Sequence, residues 1–142
     1  MDCFENKVAI VTGGASGIGR ALCAELARRG AAVVVADIDA EGAQEVAAAN
    51  ERAQAMHVDV CRAADVQTLV EETLLQYGRL DLMFNNAGVA ICGEVRDLML
   101  DHWQRVIDVN LWGVIYGTTA AYRVMVRQGF GHIVNVASLD GL

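Results

Sequence analysis

The sequence predicts an α/β fold in which a parallel sheet is covered on both faces by helices. Short, continuous apolar runs recur along the 142 residues, and segments of helical period separate them. A glycine-rich turn joins the first apolar run to the first helical segment. A hydrophobic content of 54% suits a sheet buried on both sides. The length supports one domain, and no linker, low-complexity stretch or internal repeat divides it.

Val8 to Val11 is the first apolar run, as expected of a strand buried on both faces. Thr12 to Gly17 is the glycine-rich turn, and Ile18 opens a helix with Ala21, Leu22 and Leu26 on one side. Arg28-Arg29-Gly30 reads as its end, with cations in the last turn and a glycine cap. Ala31 to Ala36 is a second buried strand ending at Asp37, and Asp39 caps a helix from about Ala40 to Ala49. Ala53 to Val58 is a third strand, ending in Asp59-Val60. Val66, Leu69, Val70, Thr73, Leu74 and Tyr77 then recur at helical spacing up to Gly78. Leu80 to Phe84 is a fourth strand, followed by Asn85-Asn86-Ala87-Gly88. Val89 to Leu100 is irregular, with a short helix near Glu94 to Leu100. Asp101 to about Gln128 forms one long helix, nearly apolar all round, which needs cover on two sides. Gly131 to Ala137 is a fifth strand, leading to Ser138.

Net charge is −7 with scattered cations, so the chain carries no basic patch for nucleic acid or anionic lipid. No apolar run is long enough to span a bilayer, and the start lacks a signal-peptide core, so a soluble, cytoplasmic protein is expected. The four cysteines form no C-x-x-C pair and have no neighbouring histidine, which argues against metal and for reduced, mostly buried thiols.

Strand, glycine turn and helix together present free backbone N–H groups and a positive helix end to a phosphate. A plain strand-to-helix turn is the alternative for this segment alone. Asp37 stands near the distance beyond the loop expected of an acid that binds a ribose diol, a cap on the following helix being the alternative. Its carboxylate accepts two hydroxyl hydrogen bonds but repels a 2′-phosphate, and no Arg or Lys lies between Gly30 and Arg52. NAD is therefore favoured over NADP. The small residues after the fourth strand let backbone line a crevice at the sheet's switch point.

Thr12-Gly13-x3-Gly17-x-Gly19 and Asn85-Asn86-Ala87-Gly88 together resemble the short-chain dehydrogenase/reductase family, with its T-G-x3-G-x-G and N-N-A-G motifs. The resemblance implies a Rossmann-type, doubly wound sheet of order 3-2-1-4-5, truncated here after the fifth strand. It implies hydride transfer between nicotinamide and a small secondary alcohol or ketone. Thr12, Gly13, Ser16, Gly17, Ile18 and Gly19 would belong to the cofactor site, with the loop from Gly13 to Gly19 on the pyrophosphate, Asp59 and Val60 flanking the adenine, and Asn86, Ala87 and Gly88 lining the far ribose. Ser138 would orient the substrate carbonyl. Asn110 would sit at a local helix break and support a proton relay, a role compatible with a buried amide bonding a backbone carbonyl. The long helix would pack on its mate in a homo-oligomer of the full-length form.

The family's proton donor is a tyrosine in a Y-x3-K motif beyond the serine. Here Tyr77, Tyr116 and Tyr122 are followed at that spacing by Asp81, Ala120 and Val126, and Lys7 is the sole lysine. The 142 residues are thus expected to lack turnover, and their fifth strand to be an edge prone to association. The competing expectation is a non-catalytic NAD-binding fragment or shortened product. A methyltransferase-type domain also places an acid after its second strand, but has no use for Asn85 to Gly88 or Ser138.

Overall fold

A computed structural model describes residues 3–138. Five parallel strands form one sheet in the order β3-β2-β1-β4-β5: β1 (Val8–Thr12), β2 (Ala32–Asp37), β3 (Ala53–His57), β4 (Leu82–Asn85) and β5 (His132–Asn135). The helices are α1 (Gly17–Arg28), α2 (Ala40–Ala48), α3 (Ala63–Tyr77), α4 (Leu100–Ile107) and α5 (Gly113–Gln128). This is the doubly wound architecture and strand order expected from the sequence.

Alternation along β1 and β2 divides the apolar side chains between two layers. Ile10, Val34 and Met83 pack with Leu69, Val70 and Val124 beneath α3 and α5. Ala9, Val11, Val33 and Val35 pack with Cys23, Leu26 and Val46 beneath α1 and α2. Ile10 lies in register with both Val34 and Met83, so the two central crossovers meet at the middle of the sheet. Asp39 caps α2 as expected, accepting from the Gly42 N–H at 3.0 Å.

At the N-terminal end of the strands, Asp81 is 5% exposed. It accepts from the Val8 N–H at 3.0 Å and from Arg79 Nε at 2.7 Å, and pairs with Lys7 Nζ at 3.3 Å. Arg79 also lies over the Phe130 ring, 4.8 Å from its centroid. Gln128 spans the backbone of Leu80, accepting from its N–H and donating to its carbonyl, both at 2.9 Å. Three strands and the end of α5 are thereby tied together away from the cleft end.

Two expectations change. The segment before α4 holds only a 3-10 turn at Val95–Asp97, and α4 itself begins at Leu100. The long helix is interrupted where the resemblance placed a local break at Asn110, by a π-turn at Asp108–Trp112 that separates α4 from α5. The apolar outer side of these helices also lacks cover: Trp103, Leu111, Trp112, Tyr122 and Val126 are all exposed. Of the cysteines, Cys23 is buried, with its thiol pushed up to about 12 by burial, whereas Cys3 and Cys92 are exposed. Among the described residues, no helix is long and apolar enough to cross a membrane, and no group of three His, Cys, Asp or Glu could hold a metal ion.

Candidate functional site

Each strand of the central sheet delivers its carboxyl end to one open cleft of about 350 Å³. Gly13, Ser16, Gly17, Ile18 and Gly19 line it from the β1–α1 loop, and Asp37 from β2. Asp59 and Val60 contribute from the end of β3, and Asn86, Ala87 and Gly88 from the end of β4. Residues far apart in sequence thus face one another, as the switch-point rule for open α/β sheets requires.

The glycines are dictated by close approach. Gly13 has φ +66°, and a Cβ there would stand 2.8 Å from the Ala87 Cα. Gly17 has φ +51°, with nothing within 4 Å of its Cβ position, so its backbone is bare toward the cleft. Ser16 is the N-cap of α1 but makes no side-chain cap bond, which leaves first-turn N–H groups for an external acceptor. The loop therefore fits a pyrophosphate by its conformation, its bareness and its unused donors.

Thr12 does not line the cleft. It is 3% exposed and fastens one side of the site to the other. Its Oγ1 accepts from the N–H groups of Asn86 at 3.0 Å and Ala87 at 3.1 Å, and donates to the Phe84 carbonyl at 3.3 Å. Asn86 Nδ2 returns the tie, donating to the carbonyls of Thr12 at 2.9 Å and Gly13 at 3.2 Å. An N–H left without its acceptor in such a place costs about 1–3 kcal/mol. The first asparagine of the motif, Asn85, faces inward instead, donating to Asn135 Oδ1 at 2.8 Å and Thr118 Oγ1 at 3.2 Å.

Asp37 has a second task that sequence reading missed. Its Oδ2 accepts from the Ala15 N–H at 2.9 Å and its Oδ1 from the Asp39 N–H at 3.0 Å. The carboxylate is held rigid by these bonds, and each oxygen keeps a lone pair for a further donor. Asp59 is likewise a turn residue, accepting from the Cys61 N–H at 3.0 Å, while still lining the cleft. Val60 is backed by Gly113, whose Cβ would stand 3.1 Å from it.

Asn110 lies in the π-turn but is exposed and does not line the cleft. The expected burial fails, while the expected bond to a backbone carbonyl is made. The side chain pairs with the backbone of Val89, accepting from its N–H and donating to its carbonyl, both at 2.9 Å. That pair pins the exit from Gly88, and Val89 itself lines the cleft. Ser138 is exposed beyond β5, two residues past Val136, which also lines the cleft. Leu139, Asp140 and Gly141, which follow it, lie outside the described residues.

Arg105, Val109 and Ile38 also line the cleft and were not anticipated. Arg105 and Val109 approach from α4 and the π-turn, a packing that strand-end motifs do not reveal.

A family model described as short chain dehydrogenase matches residues 7–142. The chain belongs to the short-chain dehydrogenase family. These are oxidoreductases acting on alcohols with a nicotinamide cofactor, NAD or NADP. Among named short-chain dehydrogenases, a 3-alpha-(or 20-beta)-hydroxysteroid dehydrogenase of Mycobacterium bovis is 39% identical over 137 residues, covering 96% of this chain and 53% of the relative. A cyclohexanol dehydrogenase of an Acinetobacter species is 42% identical over 146 residues, covering 98% of this chain and 57% of the relative. The chain thus spans little more than half the length of these short-chain dehydrogenases.

Proposed function

We propose that the cleft binds NAD(H), and that the protein to which these residues belong transfers hydride between that cofactor and a small secondary alcohol or ketone. One observation carries the reading: the bare glycine loop, Asp37 and Asn86 to Gly88 line a single cleft. When bound, the nicotinamide supplies the hydride acceptor or donor. In this reading the loop holds the pyrophosphate, and the pre-positioned Asp37 carboxylate takes the adenosine ribose hydroxyls. Asp59 and Val60 flank the base, and Gly88 with Val89, pinned by Asn110, borders the far ribose. Ser138 donates to the substrate oxygen and stabilises charge developing on it. In the full-length form a second copy covers the apolar outer side of α4 and α5, a point that a monomeric mass in solution would refute.

A second reading, cofactor binding without turnover by these 142 residues, rests on the position of Lys7. The sole lysine is paired with Asp81 at the far end of the sheet and cannot serve the cleft. NADH fluorescence titration alongside an assay with cyclohexanol separates the two. Binding with turnover supports the enzyme, binding alone supports the second reading, and a folded chain that binds nothing removes both.

Replacing Asp37 with alanine is expected to weaken NADH roughly tenfold or more, since charge-assisted hydrogen bonds contribute about 1.5–3 kcal/mol each. NADPH should lose much less. Because Asp37 also holds Ala15, both cofactors will suffer some loss from a loosened loop. The ratio of the two affinities is therefore the quantity to measure, and an unchanged ratio contradicts the ribose assignment.

A further inference from the structure

Arg105 is a cation facing the cleft from the N-terminal side of the π-turn. It is exposed, and its side chain has no hydrogen bond or ion pair among the described residues. Val109, one turn later, lines the same cleft and is buried, and Gly113, another turn on, packs against Val60. The stripe 105, 109, 113 thus runs along the β3 end of the cleft, which places Arg105 at the outer mouth of the space bounded by Asp59 and Val60.

Two of the acids nearby are already engaged. Asp59 accepts from the Cys61 N–H at 3.0 Å, and Asp108 accepts from Gln104 Nε2 at 2.7 Å. Asp59 and Arg105 line one cleft without forming an ion pair, so a gap separates carboxylate from guanidinium. The walls beside that gap, Ile38 and Val60, are apolar. A space with apolar walls, an acceptor at one edge and a planar cation at the mouth suits a flat heteroaromatic ring with an exocyclic amine.

We propose that Arg105 is a base-binding residue, its guanidinium laid over the adenine ring so as to close the outer end of the pocket. The inference rests on the dinucleotide reading and adds a residue to it. Guanidinium is planar and weakly hydrated, and stacks on aromatic faces where an ammonium offers only a point charge.

Affinities of wild type, Arg105→Met and Arg105→Lys for NADH, ADP-ribose and reduced nicotinamide mononucleotide test this. Arg105→Met should weaken NADH and ADP-ribose by roughly three- to tenfold, the range of a partly desolvated cation–π contact. The mononucleotide lacks the adenosine half and should bind both proteins alike. Lysine should restore only part of the loss. Equal NADH affinity in wild type and Arg105→Met overturns the inference, as do equal losses for all three ligands or full recovery with lysine. A wild-type chain that binds no NADH overturns the dinucleotide reading as well, so the two failures are distinguishable. Matching melting curves show that the exposed substitution left the fold intact.

Discussion

Gly19→Ala is expected to abolish measurable NADH binding and to destabilise the protein. On propensity alone the change should help, because alanine inside a helix is favoured over glycine by about 1 kcal/mol. Here the added methyl would collide with the Gly13 carbonyl oxygen, and would stand 2.6 Å from Asn86 Nδ2 and 2.8 Å from the Gly13 carbonyl carbon. Most of those atoms are backbone, and Asn86 is itself held by two carbonyls, so nothing nearby can swing aside. Overpacking in tight sites costs about 1–3 kcal/mol, and relief would require α1 to withdraw from the loop. Withdrawal removes the close contact on which the cradle depends. Thermal melts and NADH titration report the two effects separately. A variant that binds NADH normally would show that the loop is not held by this contact.

The second large effect lies at the other end of the sheet. Asp81→Asn keeps the shape of the side chain and removes a charge that faces Arg79 and Lys7. Breaking a fully buried pair costs about 3–5 kcal/mol. Arg79 is 39% exposed and Lys7 41% exposed, so both can turn to water, and a loss of about 2 kcal/mol is expected. Burial is the strongest single influence on this carboxyl and pushes its pKa up. The opposing bonds from Arg79, the Val8 N–H and Lys7 together outweigh it and hold the pKa below the ordinary 3.8. A pKa lower in the folded than in the unfolded state means that the unfolded chain binds the proton more readily. The stabilisation is therefore complete above the ordinary carboxylate range, and is lost as pH falls through it toward the lower folded value. Melting temperatures of wild type and variant should differ most near neutrality and converge in acid. Parallel curves down to low pH would contradict the assignment.

Much of this architecture is readable from local pattern. Val8 to Val11 and Ala31 to Ala36 are apolar without interruption because both faces of those strands are covered, and the Asp39 cap follows from its side chain alone. The glycine loop and Asn86 to Gly88 are legible because close backbone approach restricts which residues fit. What escaped depends on contacts across long separations. Asn110 reads as buried from its apolar neighbours, but its partner is Val89, 21 residues earlier, and no periodicity announces that pairing. Arg105 looks like one more solvated helix residue until its turn is seen to border the cleft. The π-turn is silent in local pattern, and only the family resemblance placed a break at Asn110: Asp108 to Trp112 carries much the same apolar content as the helices on either side, and the break lies in hydrogen-bond register rather than in residue type.

That register has a geometric result of its own. Each residue of an α-helix turns the chain by about 100°. Arg105 and Val109 must look toward the strand ends, whereas Gly117, Ala120, Ala121 and Val124 must look onto the sheet. The wider turn between them resets the rotational phase of α5 relative to α4. One residue added between Asp108 and Trp112, in a turn already widened, would present α5 about 100° out of step, with Tyr116 and Arg123 driven at the sheet in place of Gly117 and Val124. Substitution in this stretch perturbs one contact at a time; a one-residue insertion would misalign a whole layer.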